Sequence, residues 1–306
     1  MRPIARARTI TCAPGTVGIA LVGRLLPGKL PTMGHAYREF DWYEAPLYYD
    51  IVYADGTDAD CDFLEALYRR YTPSRHRRVL EPACGSGRLV VEMARRGYRV
   101  LGFDLSPGSV AFANRMLAME RRERRSCGET AALHARAVEA DMESFRPRQR
   151  FELAHCLVSS FQHLLSERAA IAHLNAMAAA LMPGGIYALS FHVCQYDEAR
   201  VVRERYAGVR GDMHVVCNIQ TWPPSRRQRR QKMRSRIVVE QSGLIRRFES
   251  CWEFRTYDAG QFLSLVAKIP EFAHIATYDF DYDLERPQQC ELGAERLDQV
   301  VILQRQ

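Results

Sequence analysis

Three carboxylates and one glycine turn stand in an order that suits a nucleoside ligand. Residues 79–90 read Val-Leu-Glu-Pro-Ala-Cys-Gly-Ser-Gly-Arg-Leu-Val, so an apolar run ends in Glu81, turns at Gly85 and Gly87 and enters a helix-forming stretch. A turn without side chains lets a ligand lie against backbone, and helix-opening N–H groups favour polar or anionic groups there. Asp104 ends a second apolar run, Tyr98 to Asp104, and Asp141-Met142 follows a third. A carboxylate has about four lone-pair sites, enough to accept both hydroxyls of a ribose. Asp104 and Asp141 are both carboxylates with that capacity. A dinucleotide turn would read Gly-x-Gly-x-x-Gly; here the third position is Val90 and the acid precedes the glycines.

Other residues with chemical capacity are more scattered. Phe40 to Tyr53 holds Phe40, Trp42, Tyr43, Tyr48, Tyr49 and Tyr53, and His163 follows the fourth apolar run in Leu157-Val-Ser-Ser-Phe-Gln-His163. His192, His214 and His274 stand alone on strand-like stretches and are read as structural. No paired acids and no metal-ligand spacing are evident, so no metal site is expected.

The elements that must carry these residues alternate. Asp58 to Tyr71 and Arg88 to Arg96 have helical spacing, the latter closed by Gly97; Ser106 and Pro107 open a helix as N-cap and first-turn residue. Strands are expected at Arg78 to Leu80, Tyr98 to Asp104, Leu133 to Val138, Phe151 to Val158 and Ile186 to Val193, with a helix from Ser166 to Met182 stopped at Pro183-Gly184-Gly185. Such alternation gives an α/β, Rossmann-like, doubly wound and mostly parallel sheet of seven strands. Met213 to Trp222, Arg236 to Gln241 and Leu244 to Phe254 instead alternate as antiparallel strands, the last two joined by Ser242-Gly243. They form an antiparallel β excursion inserted after the fifth strand. A helix at Ala259 to Ile269 and strands at Phe272 to Tyr282 and Leu297 to Leu303 close the sheet. The organisation expected is a tail at 1–32, N-terminal lid or docking helices at 33–75, a cofactor core at 76–195, the β insertion at 196–256 as lid or dimer contact, and the rest of the core sheet at 257–306.

With these residues in order, the chain resembles class I S-adenosylmethionine (SAM)-dependent methyltransferases over about residues 58–195. The resemblance rests on Glu81-Pro-Ala-Cys-Gly85-Ser-Gly87, Asp104, Asp141-Met142 and Leu181-Met-Pro-Gly-Gly185. Ala83 stands where the commonest form has its first glycine. The resemblance implies SAM as cofactor, held by Tyr53, Glu81, Ala83, Gly85, Gly87, Asp104, Leu105, Asp141, Met142 and Leu157. Glu81 would organise the methionine ammonium. Ser160-Phe-Gln-His163-Leu is similar to a stretch of small-molecule N-methyltransferases, including those acting on amino sugars. His163 is therefore the first choice for a general base or acceptor-orienting group. In that family a Tyr-Asp-x-x-Tyr segment, here Tyr49 to Tyr53, folds over the cofactor; aromatic faces attract a sulfonium. Tyr43 and Tyr53 are the tyrosines expected to act, and His163 and Tyr43 are the catalytic candidates.

Charge and cysteine usage bound the partners. The net charge of +7 falls to +2 without Arg2, Arg6, Arg8, Arg24 and Lys29, all in an acid-free segment ahead of Met33. Residues 1–32 are expected to be a disordered tail or a start-site artefact. Nine scattered cysteines with no Cys-x-x-Cys argue for reduced thiols in a cytoplasmic protein, and no apolar run is long enough for a membrane span. Ser225 to Arg236 carries seven positive charges. It reads as a solvated hairpin loop, with a phosphate-facing patch as the sharper alternative. The leading expectation is methyl transfer to a small-molecule amine, with nucleic acid unlikely as partner. The rivals are an RNA methyltransferase using the 225–236 loop and a non-catalytic SAM-binding scaffold that dimerises through its β insertion.

Overall fold

The computed structural model describes residues 36–285, 292–293 and 297–306. The expectation for residues 1–32 lies outside the described residues. The chain runs β1 (Arg38–Glu39), α1 (Pro46–Tyr53), α2 (Thr57–Tyr71), β2 (Arg78–Pro82), α3 (Arg88–Arg95), β3 (Arg99–Asp104), α4 (Pro107–Ser126), β4 (Ala135–Glu139), β5 (Phe151–Cys156), α5 (Glu167–Ala180), β6 (Leu181–His192), β7 (Val202–Arg210), β8 (Met213–Thr221), β9 (Arg230–Gln241), β10 (Leu244–Arg255), α6 (Ala259–Val266), β11 (Phe272–Asp279) and β12 (Asp298–Arg305).

Seven strands form one sheet in the order β4-β3-β2-β5-β6-β12-β11, and β12 runs against the other six. The order reverses between β2 and β5, where crossovers leave to opposite sides and open a crevice at the carboxyl ends of the strands. This is the Rossmann-like sheet expected from the alternating pattern. Helices α2, α3 and α4 cover one face through Leu64, Leu67, Val90, Met93, Ala113 and Leu117. Helices α5 and α6 cover the other through Leu174, Met177, Phe262 and Leu265. Full burial of each leucine contributes roughly 1.5–3 kcal/mol.

Capping fixes where helices begin. Ser106 Oγ accepts from the Ser109 N–H with Pro107 in the first turn, and Ser166 Oγ accepts from the Ala169 N–H. Helix α5 stops at Ala180 rather than at Met182, because Leu181 is extended and pairs with Phe151. The Pro-Gly-Gly segment is then absorbed inside β6, at a register irregularity between Phe151 and Leu153.

The second sheet has the order β1-β10-β9-β8-β7 and is antiparallel except for β1, which pairs parallel with β10 at Arg38↔Phe248. The Ser242-Gly243 turn links β9 and β10 as the sequence implies. Two strands were not legible in the residue pattern: β7, and the first half of β9. The basic run is therefore not a loop beyond Arg229. Arg230 to Arg236 lie in β9, with Ser235, Ile237 and Val239 buried on one face and Arg234 and Arg236 on the other. There Arg236 meets Glu249 at 2.6 Å and Arg234 lies over Trp222. Strand pairing gives long basic side chains acid and aromatic partners that the run itself does not contain.

The buried face of this sheet packs on the N-terminal segment. Val215, Cys217, Ile237 and Val239 meet Trp42, Ile51 and Val52. Gly208 makes the approach possible: a Cβ there would sit 2.1 Å from the Ile51 carbonyl oxygen. Helix α1 thus rides on β7 while α2, a few residues later, belongs to the core sheet. Among the described residues no helix is long and apolar enough to cross a membrane.

Candidate functional site

Glu81 lies at the end of β2, beside the β2–β5 reversal, and Asp104 at the end of the neighbouring β3. Strand β2 delivers Glu81, and the chain then turns through Ala83 at φ +50° and Gly87 at φ +74°. A Cβ on Gly87 would lie 2.6 Å from Cβ of Ala113, so the turn sits flush on α4. Ala83 holds a left-handed conformation in which a glycine costs less, which explains the glycine usual at that position. Asp104, at the end of β3, accepts the Gly85 N–H at 2.8 Å with one oxygen and the Ser106 N–H at 2.9 Å with the other. The carboxylate therefore fixes the glycine turn to the start of α4. Burial raises its pKa, opposed by those N–H groups.

Glu81 is 8% exposed and its Oε2 has no hydrogen-bond partner. Burial pushes its pKa up to about 8, although the nearby Arg88 guanidinium opposes the shift. Arg88 itself is committed elsewhere. It pairs with Asp60 at 2.6 Å and bonds Thr57 Oγ1, while Tyr282 donates to the other oxygen of Asp60 at 2.7 Å. An unpaired carboxyl beside a glycine turn is an open acceptor for a cationic group. Strand register continues this polar row. Leu80 lies opposite Ala154, so Glu81 stands beside His155. His155 is fully buried, has no partner on either ring nitrogen, and burial holds its pKa down at about 3.

The end of β5 is strained. Val158 and Ser159 both have φ near +60°, uncommon for any non-glycine residue and an outlier for a β-branched one. Strain of this kind, of order 1–3 kcal/mol per residue, tends to mark functional sites. The turn throws residues 160–163 back over the strand ends. Gln162, 1% exposed, staples it: its Nε2 donates to the Arg255 carbonyl at 3.1 Å and its Oε1 accepts the His192 N–H at 3.1 Å. His163 is thereby held against the second sheet.

His163 and Tyr43 meet: Nε2 and the phenol oxygen are 2.6 Å apart. Phe254 lies edge-on to His163 at 4.7 Å between centroids, and Trp252 to Tyr43 at 6.5 Å. Tyr43 keeps 38% of its surface accessible, yet burial raises its pKa well above the ordinary value. A side chain both accessible and desolvated lines a cleft rather than a convex surface. Burial also lowers the His163 pKa to about 4. The bridged pair is neutral through the physiological range.

The remaining expected residues fall into different surroundings. Tyr53 lies tilted against Tyr49 at 4.5 Å and Tyr206 at 5.6 Å, and the groups acting on it are Tyr49 and then Cys217, Tyr206 and Glu204 of the second sheet. Tyr49 is the tyrosine on which Arg88, Glu81, Asp60 and Asp104 act; burial pushes its pKa up to about 12. Leu105 is exposed beyond the end of β3. The Leu157 side chain is buried in the core. Asp141 is exposed and accepts the Glu143 N–H at 2.8 Å, while the Met142 carbonyl faces His173 Nδ1 at 3.1 Å. Residues missed in the sequence are Tyr49, Arg88 with Asp60, His155, and Gln162. Of these only Tyr49 carried a signal, as the first tyrosine of Tyr-Asp-x-x-Tyr. Among the described residues no cluster of His, Cys, Asp and Glu could hold a metal.

Comparison with known proteins bears on the family and the fold. Residues 79–185 match the family described as Methyltransferase domain. Over 141 residues the chain is 32% identical to dTDP-3-amino-3,6-dideoxy-alpha-D-glucopyranose N,N-dimethyltransferase of Streptomyces fradiae. That match covers 45% of this chain and 49% of the relative, so the chain spans about half the length of the curated relative it matches. Among solved structures, a SAM-dependent methyltransferase from Clostridium acetobutylicum superposes with a TM-score of 0.62 at 17% identity, covering 85% of this chain and 96% of that one. A sugar N-methyltransferase from a Streptoalloteichus species gives 0.61 at 19% identity, covering 93% and 100%. A SAM-bound amino pentose methyltransferase from Micromonospora echinaspora gives 0.58 at 19%, covering 89% and 100%. At these identities the likeness is one of fold.

Proposed function

We propose that this chain, whose residues 79–185 match the family described as Methyltransferase domain, moves a methyl group from SAM to a small-molecule amine, of the amino-sugar kind named for its curated relative. The observation that carries the reading is the pairing of two features that both act on Tyr49: the Glu81 carboxyl, with one oxygen unpartnered, and the Tyr43–His163 pair under aromatic rings of the second sheet.

The residues present fit SAM. Glu81 Oε2 lacks a partner that an ammonium would supply. A Cβ built on Gly85 meets nothing within 4 Å, so the turn borders open space. Asp104 spends one lone pair of each oxygen on backbone N–H groups and keeps the others for ribose hydroxyls. Exposed Leu105 and Asp141 with Met142 would border the base; Ala83, Gly87 and the Leu157 backbone complete the wall. SAM supplies an electrophilic methyl group on a sulfonium.

The chain's own work is alignment and exclusion of water. Tyr49 and Tyr53, on α1, cover the crevice from the side of the second sheet. Tyr43, Trp252 and Phe254 present aromatic faces that favour cations. His163, held neutral by burial, orients the Tyr43 hydroxyl, and that hydroxyl in turn directs the amine lone pair. This supports the orienting half of the role expected for His163. SAM, when bound, would supply the methyl group in line with its departing sulfur, and the amine would give up one proton per methyl group received.

The test is an incubation of the protein with methyl-labelled SAM and a panel of amino sugars, simple amines and hydroxyl analogues, analysed by mass spectrometry. Label on an amine nitrogen is the expected result. Tight SAM binding with label on none of the amines would refute the acceptor class.

A further inference from the structure

The reaction must shed a proton from an ammonium, and the buried His163, with a pKa of about 4 and its Nε2 bridged to Tyr43, is poorly placed to take it. A different histidine stands nearby with the partner a proton acceptor needs. His192 ends β6, and Asp298, opposite it in the β12 register, places a carboxylate oxygen 2.8 Å from His192 Nδ1. A carboxylate on Nδ1–H fixes the ring tautomer and leaves Nε2 as the basic nitrogen, the logic shared by many general-base pairs. The pair is about two-fifths exposed, so Nε2 is not sealed in the core.

Three observations tie the pair to the site. Strand alternation puts it on the same sheet face as the Glu81 and His155 row. On that face Ser190, two residues before His192, bonds the Ser159 N–H at the strained turn. The His192 N–H is itself held by Gln162, next to His163. From across the crevice Glu204 and Tyr206 of β7 face the pair: Tyr206 donates to Glu204 at 3.1 Å, and Asp298 and His192 are the charged groups acting on Glu204. Tyr206 then continues through Tyr53 and Tyr49 toward Glu81. The titratable groups around His192 are thus Asp298, Glu204 and Tyr206.

We propose that the His192–Asp298 pair is the proton acceptor for the bound substrate ammonium, with Glu204 helping to attract that cation into the crevice. The ammonium N–H bond breaks to His192 Nε2, the freed lone pair forms the N–C bond, the S–C bond breaks, and the imidazolium returns its proton to water. This inference rests on the amine reading given above.

The experiment uses wild type, His192→Gln and Asp298→Asn with two acceptors found in the panel, one strongly basic amine and one weakly basic fluorinated analogue. The expected result is a loss of about 10²-fold in kcat for the basic amine in His192→Gln, little change for the weakly basic one, and a displaced acid limb of the pH profile. Asp298→Asn should follow in the same direction. In protein holding the demethylated donor, with ¹⁵N-labelled histidine, adding the basic amine should shift the ring-nitrogen signal of one histidine as the ammonium N–H bonds its Nε2, and that shift should vanish in His192→Gln. Equal loss on both amines, or a ring-nitrogen shift that persists in His192→Gln, would overturn the proposal. Unchanged turnover would do so as well. Failure of the wild-type protein to methylate any amine would instead sink the acceptor reading, and the two failures are told apart by the wild-type control.

Discussion

Glu81 gives a prediction whose size follows from its surroundings. Its carboxyl is buried, has one oxygen without a partner and is raised to about 8, so at pH 7 the free protein holds it mostly as the acid. A ligand ammonium requires the carboxylate, so binding must expel that proton. Each pH unit below 8 should then weaken SAM about tenfold, or about 1.4 kcal/mol, and pH 6 should be about 100-fold worse than the plateau. Close to one proton per SAM should be released at pH 7, visible in titration calorimetry as an enthalpy that depends on the ionisation heat of the buffer. Glu81→Gln should bind more weakly but lose both the slope and the proton release. Stability of the free protein should move in the opposite sense. The folded pKa lies above the ordinary value of 4.5, so the contribution of this group is complete below pH 4.5 and is lost as pH rises through 8. The loss is at most about 5 kcal/mol over that window, and Glu81→Gln should remove it. A wild-type SAM affinity flat between pH 6 and 7.5, with no proton released, would refute the argument.

Three further outcomes follow from named contacts. Asp104→Ala frees the Gly85 and Ser106 N–H groups; SAM affinity should drop more than tenfold and stability by roughly 1–3 kcal/mol, and calorimetry showing unchanged binding would remove Asp104 from the site. Tyr43→Phe keeps the ring but cuts the bridge to His163; kcat should drop at least tenfold while SAM affinity holds, and equal changes in both would mean the hydroxyl serves only packing. Gly208→Ala drives a Cβ into the Ile51 carbonyl, so α1 must shift; overpacking should cost about 1–3 kcal/mol and raise the KM for the amine more than that for SAM. A melting temperature and KM values identical to wild type would show that α1 does not depend on this approach.

The core sheet was legible because its signals are local. Glu81 and Asp104 sit at strand ends, Ser106-Pro107 caps a helix, and the Gly85–Gly87 turn has one backbone solution, so spacing along the chain is enough to identify them. The helix α5 boundary was missed because Pro183-Gly184-Gly185 reads as a plain stop, whereas pairing of Leu181 with Phe151 draws the segment into β6. Strand β7 and the start of β9 were missed because their faces carry charge, and the acid and aromatic partners of the β9 arginines, Glu249 of β10 and Trp222 just after β8, come from elsewhere in the chain.

Local chemistry in the sequence therefore determined the parallel core, the order of its acids and the glycine turn that borders the cofactor crevice. It also placed Tyr43 and His163 among the candidates. What only the tertiary structure decided is which side chains share an environment. Tyr43 meets His163 across 120 residues of chain, His192 meets Asp298 across 106, and Gln162 joins the strained turn to both sheets. The pKa values follow the same division. Burial is the leading cause for Glu81, His155 and His163, and burial is a property of what packs around a residue rather than of the residue and its neighbours in sequence.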